Sequence, residues 1–286
     1  MIDPAARRAR RETRRGEVVP TVRMTHLLGI DHLSSPDPTE DYHEASRVHP
    51  GIVDPRAGGA AQLERSVEMR ISVARSVKRH PGRPFQPLPE PRLANAALGE
   101  SLALRRSHRA FDDRALRLGE LATVLHAAYG VTGALAGTEQ ALRTVPSGGA
   151  LYPLELYVAC SRVDQVERAL YHYDPLRHGL ERLCPTSPDA LAELSPYGEV
   201  LASSAAVLLV TGVFWRSRFK YGDRAYRFTL LEAGHVGQNV VLAATALGLA
   251  SVPIGGFFDR RADAFLGIDG LHEASLYLFP LGGAGR

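Results

Sequence analysis

The sequence predicts an α+β protein, with a mixed and mainly antiparallel sheet flanked by helices, and three observations carry that expectation. Helical and strand-like patterns alternate irregularly, without the regular βαβ succession of a doubly wound parallel sheet. A hairpin signal falls mid-chain, Leu170–Tyr173 and Leu180–Leu183 around a turn from Asp174-Pro175 to Gly179. The run Ala205-Ala-Val-Leu-Leu-Val-Thr-Gly212 is apolar on both faces, as a central strand must be. At 286 residues and 45% hydrophobic content the chain can bury one full core.

Residues 1–20 carry Arg7, Arg8, Arg10, Arg11, Arg14 and Arg15 against Asp3, Glu12 and Glu17. The formal charge of +3 therefore belongs to this tail, and the other 266 residues balance at 28 basic and 28 acidic. Such a composition reads as a disordered tail and gives the body no nucleic-acid footprint. Residues 21–95 form an irregular N-terminal extension, with a short helix expected from Gln62 to Lys78. Pro81, Pro84, Pro87, Pro89 and Pro91 then deny regular structure.

The compact domain is expected over 96–286. Leu118, Leu121, Leu125 and Ala128 recur at helical spacing, with Gly130 as the stop. Leu154–Cys160 alternates as a strand after a Pro-Ser-Gly-Gly turn, and the hairpin follows, with His172 and His178 facing solvent. Ser187 with Pro188 at the first helical position opens another helix. The central strand comes next, and then Tyr226–Leu247, where Leu230, Leu231, Val236, Val240, Val241, Ala244 and Leu247 surround a helix on nearly all sides. That helix should be buried. Ala250–Pro253 and Ser275–Leu281 supply further strands. No apolar run spans a membrane and no secretory signal opens the chain, which places the protein in the cytoplasm. Cys160 and Cys184 lack any CxxC or Cys/His spacing, so neither a disulfide scaffold nor a structural zinc is expected, and Cys160 reads as core.

Chemistry has four candidate seats. Arg105-Arg-Ser-His-Arg109, just before the first helix of the compact domain, offers guanidiniums and a hydroxyl suited to a phosphate, or forms a solvated basic turn. Pro146-Ser-Gly-Gly-Ala-Leu-Tyr-Pro153 and Pro253-Ile-Gly-Gly-Phe257 each pair glycines that let a backbone approach a flat ligand, or simply turn the chain. Neither fits GxGxxG or a Walker loop, which disfavours a Rossmann nicotinamide site. Glu232-Ala-Gly-His-Val-Gly-Gln-Asn239 puts polar side chains into an apolar helix, where Gly234 and Gly237 admit another helix and Gln238 and Asn239 meet a cofactor or neighbouring backbone. His235 has no second ligand at i+4 and reads as a hydrogen-bonded structural histidine. Lys220-Tyr221, in the basic aromatic segment Arg216–Arg227, is a pair able to move a proton.

Taken in order, RRSHRAF (105–111), PSGGALYPLELYV (146–158), YHYDP (171–175), FKYGDRAYR (219–227), LEAGHVGQN (231–239) and PIGGFFD (253–259) resemble the SagB-type dehydrogenases of the nitroreductase-like FMN superfamily. The likeness covers about two thirds of the chain, and Asp41-Tyr-His-Glu44 resembles the family's N-terminal extension loosely. It implies a homodimer with FMN at the subunit interface. Matched by motif, Arg105, Arg106, Ser107 and Arg109 hold the FMN phosphate and ribityl chain. Pro146, Ser147, Gly148 and Gly149 line the isoalloxazine from the other subunit, and Gln238, Ile254, Gly255 and Gly256 complete the pocket. Arg286 reaches for the phosphate. Gly255 stands where many nitroreductases carry a glutamate, which leaves the hydrogen bond to flavin N5 unassigned.

The resemblance further implies oxidation of thiazoline and oxazoline rings in a ribosomally made peptide, delivered by a cyclodehydratase partner. Lys220 is then the base and Tyr221 its proton partner, with Arg216, Arg218 and Arg224 nearby to favour a neutral lysine. Two alternatives stay open: an NAD(P)H-dependent nitroreductase or quinone reductase, and a mainly scaffolding subunit of a modifying complex.

Overall fold

The computed structural model describes residues 38–47, 59–74, 76–92 and 97–285. The Arg-rich tail and Arg286 lie outside them. Contacts divide the chain into two units, Met1–Arg47 and Val48–Arg286. In the first, Asp41-Tyr-His-Glu44 falls on helix α1 (Pro38–Ala45), and Ser46 Oγ donates to the Tyr42 carbonyl at 2.6 Å.

The second unit opens with α2 (Gly59–Arg65) and α3 (Val67–Ala74) where one helix to Lys78 was expected. Ser66 breaks it: its Oγ accepts the Met69 amide at 3.1 Å and so caps a fresh helix start. The proline stretch contains a strand, β1 (Phe85–Pro87), paired antiparallel with the segment Gly179–Glu181. An edge position tolerates proline because only one side of the strand needs its donors.

Helix α4 (Leu98–Leu104) precedes the arginine cluster, so the cluster follows a helix C-terminus instead of leading into the first helix. Then come α5 (Leu118–Tyr129, ended at Gly130), β2 (Val131–Ala134), β3 (Ala141–Arg143) and β4 (Leu154–Cys160). The predicted hairpin is β5 (Ala169–Asp174) and β6 (Gly179–Pro185). Helix α6 (Pro188–Ala192) starts as expected, with Ser187 Oγ accepting the Ala190 amide at 3.2 Å. The remainder is α7 (Gly198–Ser203), β7 (Ala206–Val213), α8 (Trp215–Tyr221), α9 (Arg224–Ala246), β8 (Leu249–Ser251), α10 (Asp259–Leu266) and β9 (Glu273–Gly283).

The sheet runs β1-β6-β5-β4-β7-β9-β8, and each pairing of these strands is antiparallel. Successive residues feed two cores. Leu156, Val158, Leu208 and Val210 pack with α5 and α9 on one face; Tyr157, Ala159, Val207 and Leu209 pack with Leu191, Leu201 and Leu266 on the other. Each such buried aliphatic contributes roughly 1.5–3 kcal/mol relative to exposure. Cys160 is fully buried in this core, and burial raises its thiol pKa well out of the reactive range.

Strand β4 was read as alternating, yet it is buried throughout, Glu155 included. His172 is likewise fully buried and His178 half-buried, against the expected solvent-facing pair. The reason is a polar network beneath the extension. Glu155 meets His172 Nε2 at 2.7 Å and accepts from Arg216 Nη2 at 2.5 Å and the Lys78 amide at 2.7 Å. Burial alone would raise its pKa, but Arg216 and His172 outweigh burial and hold it at about 2. Lys78 Nζ donates to Tyr157 Oη and Glu273, so the extension is fastened to strands β4 and β9.

Candidate functional site

Lys220 and Tyr221 occupy the last turn of α8, both half-buried. The glycine turn that follows Pro146 lies directly against them. A Cβ on Gly149 would sit 2.6 Å from Lys220 Nζ and 2.6 Å from Tyr221 Oη, and Gly149 has φ 64°. The positive φ favours glycine there, and a Cβ would oblige the ends of Lys220 and Tyr221 to shift. Lys220 Nζ stands 5.2 Å from the Tyr221 ring centre, and Phe228 of α9 meets that ring edge-on at 5.0 Å.

The turn is strained beyond its glycine. Ala150 and Tyr152 also adopt left-handed backbone, at φ 52° and 47°. Such residues cost of order 1–3 kcal/mol each and persist where surroundings over-determine them. Here Gln140 Nε2 donates to the Ala150 carbonyl at 2.7 Å and the Arg143 amide donates to Tyr152 Oη at 3.0 Å. The Tyr152 amide donates to Ser147 Oγ at 2.9 Å.

Beneath the turn lies Glu232 of α9, 3% exposed. Tyr129 Oη donates to its carboxylate at 2.6 Å. Burial raises Glu232 to about 7, while the nearby Ser147 and Tyr129 hydroxyls and the charges of Arg143 and Arg216 pull the other way. Of the arginines expected to crowd Lys220, Arg216 turns inward to Glu155, Arg218 stacks on Trp215 at 4.6 Å, and Arg224 lies over Phe228 at 5.8 Å.

A second grouping gathers the phosphate-type residues. Arg109 lines a pocket with Ile254, Gly255, Gly256, Val252, Val200 and Tyr197, and the His108 amide donates to the Ser251 carbonyl at 3.0 Å. The arginine cluster thus runs alongside the Pro-Ile-Gly-Gly segment. Among the described residues neither Arg105 nor Arg109 has an ion-pair partner. Arg106 folds back instead, donating from Nη1 to the Ala103 and Arg105 carbonyls at 2.8 Å each. The helix end that precedes the cluster explains this, since its last carbonyls lack intrahelical partners. Ser107 is exposed. Ser195 Oγ donates to the Gly256 carbonyl at 2.7 Å and fixes that loop, with Tyr197 beside it. Sequence reasoning missed both Ser195 and Tyr197, because nothing in Leu-Ser-Pro-Tyr-Gly marks them as neighbours of residues 60 positions away.

The Arg109 pocket is not lined by Lys220, Tyr221 or Gly149. Phe228 belongs to the Lys220 grouping, and Gly237 packs on Tyr277, a neighbour of Gly255, in the Arg109 grouping. The helix between those residues rises about 14 Å at 1.5 Å per residue. Gly237 makes room for Phe279 of the chain's own sheet, where a Cβ would fall 2.7 Å from the ring, and not for a second helix. Asn239 Nδ2 donates to the Ala127 carbonyl at 2.9 Å, a purely structural bond. Gln238 is exposed, and so is His235, whose imidazole makes no hydrogen bond among the described residues. His80, His172 and Glu181 bring ligand-type atoms within 4.8 Å of one another, but Glu181 already receives Arg177 and the His80 amide.

Comparison with known proteins sets this geometry in context. The family model described as Nitroreductase matches residues 102–283. The chain is 38% identical over 193 residues to a Methanocaldococcus jannaschii protein named as a nitroreductase, covering 67% of this chain and 93% of the relative. It is 33% identical over 134 residues to the Escherichia coli microcin B17-processing protein McbC, spanning 49% of that protein. A crystal structure from Ralstonia eutropha, described as a nitroreductase, matches with TM-score 0.61 and 26% identity over 73% of this chain and 97% of that one. The E. coli microcin synthetase McbBCD complex with truncated pro-MccB17 shares the fold, at TM-score 0.55 and 23% identity over 95% of this chain and 100% of that chain. No helix among the described residues is long and apolar enough to cross a membrane. A match over most of the antiparallel sheet and both flanking layers, joined to a relative aligned along nearly its full length, shows that the chain belongs to the nitroreductase family.

Proposed function

We propose that the protein is an FMN-dependent dehydrogenase that oxidises thiazoline or oxazoline rings of a ribosomally made peptide to thiazole or oxazole, working as a homodimer beside a cyclodehydratase. One observation carries the reading: Lys220 and Tyr221 sit in contact range of the Gly148-Gly149 turn, so the proton-handling pair and a ring-lining backbone share one site. Likeness to proteins named for microcin B17 and trifolitoxin processing supports a peptide substrate.

The residues present suit FMN. Arg109, without an ion-pair partner among the described residues, faces a pocket whose walls include glycine backbone and the apolar Val252 and Ile254. The amides of Gly255 and Gly256 make no backbone hydrogen bond among the described residues, leaving donors for a ring edge. Arg105, Ser107 and Arg109 would hold the phosphate end, with Arg106 shaping the turn. FMN, when bound, supplies the two-electron acceptor for a ring hydrogen that no side chain here provides, with oxygen as terminal acceptor. The chain's own part is the proton. Lys220 Nζ removes it from the ring Cα, Tyr221 Oη passes it on, and Gly149 keeps both groups uncovered by side chain.

The homodimer reading rests on exposed apolar surface. Leu230 and Leu231 of α9 are 43% and 61% exposed, and Leu98, Leu102 and Leu104 of α4 are more than half exposed. The helix expected to be buried all round is thus open on one side, as a subunit interface would leave it. Closing it against a second copy joins the Lys220 grouping of one protomer to the Arg109 grouping of its partner.

The test is a Lys220→Ala protein that retains FMN, assayed on an azoline peptide. Loss of about 100-fold or more in turnover is expected, the usual range for a general base. Turnover at the wild-type rate removes Lys220 from the mechanism. Rapid bleaching of bound FMN by NAD(P)H, with no azoline oxidation by the wild type, favours a nicotinamide-dependent reductase instead.

A further inference from the structure

Helix α8 carries Lys220 and Tyr221, yet it has only seven residues, and its N-cap residue, Phe214, makes no side-chain cap bond. So short a helix is marginal on its own, and its neighbours must set its position. The Phe214 amide donates to the His272 carbonyl at 3.2 Å, and Phe219 packs on Gly59 of α2 with no room for a Cβ between them. Arg216 supplies the contact toward the glycine turn. Its guanidinium forks: Nη1 donates to the Tyr152 carbonyl at 3.4 Å and Nη2 to Glu155 Oε1 at 2.5 Å. Tyr152 is the left-handed residue at the exit of the turn, and Glu155 lies in β4. The ion pair is largely withdrawn from water, the carboxylate side chain 2% exposed and the arginine side chain 17%. Glu155 is itself held in place, because its carboxylate also accepts the Lys78 amide at 2.7 Å and meets His172 Nε2 at 2.7 Å.

We propose that Arg216 is a positioning residue: its fork bolts α8 to the exit of the glycine turn and to Glu155, and so holds Lys220 against the Gly149 backbone. Arg216 and Lys220 are four residues apart, which puts them one turn apart on the same side of the helix, about 5–6 Å between Cβ atoms. A guanidinium anchored at two points therefore fixes the stretch of helix from which Lys220 Nζ approaches Gly149. The inference deepens the functional reading above and rests on it for the proton that Lys220 moves, whereas the mechanical link stands on the contacts themselves. Glu155 Oε1 accepts both Arg216 and the Lys78 amide, so the N-terminal extension belongs to the same anchorage. What the two acceptors require is the planar fork as well as the charge. A lysine in its place keeps the charge beside Glu155 but presents it from one atom and cannot reproduce the fork.

The experiment compares the full-length, FMN-loaded wild type with Arg216→Lys, Arg216→Gln, and Arg216→Lys combined with Glu155→Gln. Lys220 Nζ is labelled with trinitrobenzenesulfonate and followed at its peptide by mass spectrometry. Hydrogen exchange is followed at the Gly222 amide, which closes α8 on the Arg218 carbonyl at 2.8 Å, and azoline oxidation is measured in parallel. Arg216→Lys leaves the buried carboxylate a counter-charge, so it should fold as the wild type does and retain FMN. Its Lys220 should label about fivefold faster and its Gly222 amide should exchange about tenfold faster, as a loosened helix end would. Its kcat should fall about 30–100-fold with KM within about twofold, the signature of a displaced reacting group. Arg216→Gln should show the same losses, so that restoring the charge does not restore the rate. Adding Glu155→Gln to Arg216→Lys should accelerate labelling no further, since both changes act through one contact. Unchanged labelling and exchange in both single variants overturn the positioning role, whatever the turnover. Full turnover in Arg216→Lys beside a slow Arg216→Gln overturns it too, leaving Arg216 to act by charge alone. Faster labelling in variants of a wild type that never oxidises azolines upholds the anchorage and sinks the peptide reading.

Discussion

Two effects meet at Gly149, a left-handed backbone and a close approach to Lys220 and Tyr221. Gly149→Ala must accept φ 64° and must push Lys220 and Tyr221 aside to seat its methyl. The expected outcome is a loss of about 1–3 kcal/mol in stability by chemical denaturation, with a larger proportional loss of turnover. A variant of wild-type turnover would mean that the turn does not govern the pair. Glu232 gives a prediction with a definite sign. Its pKa is raised on folding, so the folded chain keeps a proton that the unfolded chain releases. The corresponding stabilisation is complete below about 4.5 and lost as pH rises to about 7. Between pH 4 and pH 8 the wild type should therefore lose roughly 3 kcal/mol relative to Glu232→Gln. Parallel stability curves for the two proteins would refute this. A site that weakens its own fold at working pH is the usual trade between function and stability.

Helix α9 ties these side chains to the sheet and exposes an apolar stripe on its other side. Leu231→Glu should leave the helix content of the chain intact, convert a dimer to monomer in sedimentation and release FMN. A monomer that still retains FMN would place the whole cofactor site in one chain. The apolar periodicity of α9 was legible in the sequence, but which of its apolar residues the chain's own core covers was not, since an apolar stripe does not say which neighbours pack on it. The same limit hid Glu232's partner. Tyr129 lies 103 positions away, and only the fold brings it to 2.6 Å. His172 misled for another reason: a polar residue in a hairpin usually faces water, and its two carboxylate neighbours come from β4 and β6. By contrast β4, β7, the hairpin and α5 could be read almost to the residue, because turn chemistry and period marked their ends.

The polar network below the sheet sets how the protein responds to acid. Glu155 is held near 2 by Arg216 and His172 against the pull of burial, so the stability it contributes is complete above about 4.5 and lost as pH falls toward 2. Glu155→Gln should flatten the acid limb of the unfolding curve. At neutral pH it should cost about 3–5 kcal/mol, because Arg216 is left without its buried counter-charge. An unaltered acid limb would show that other carboxylates control acid unfolding.

Strand β1 has a consequence for the integrity of the sheet. The Pro84 carbonyl and the Leu88 amide both bond to β6 or its turn, at 2.9 and 3.0 Å, so by alternation Phe85 and Pro87 present their backbone outward. Pro87 has no amide to offer there, and the rim of the sheet is chemically blunted against further strands. Without this segment the bare backbone of β6 becomes a template for stacking one molecule on another. A chain shortened to begin at residue 97 should then self-associate progressively with concentration in light scattering, while the full chain keeps a fixed particle size. The proline-rich extension is thus a terminator of β-polymerisation, fitted to the β1 margin of the sheet.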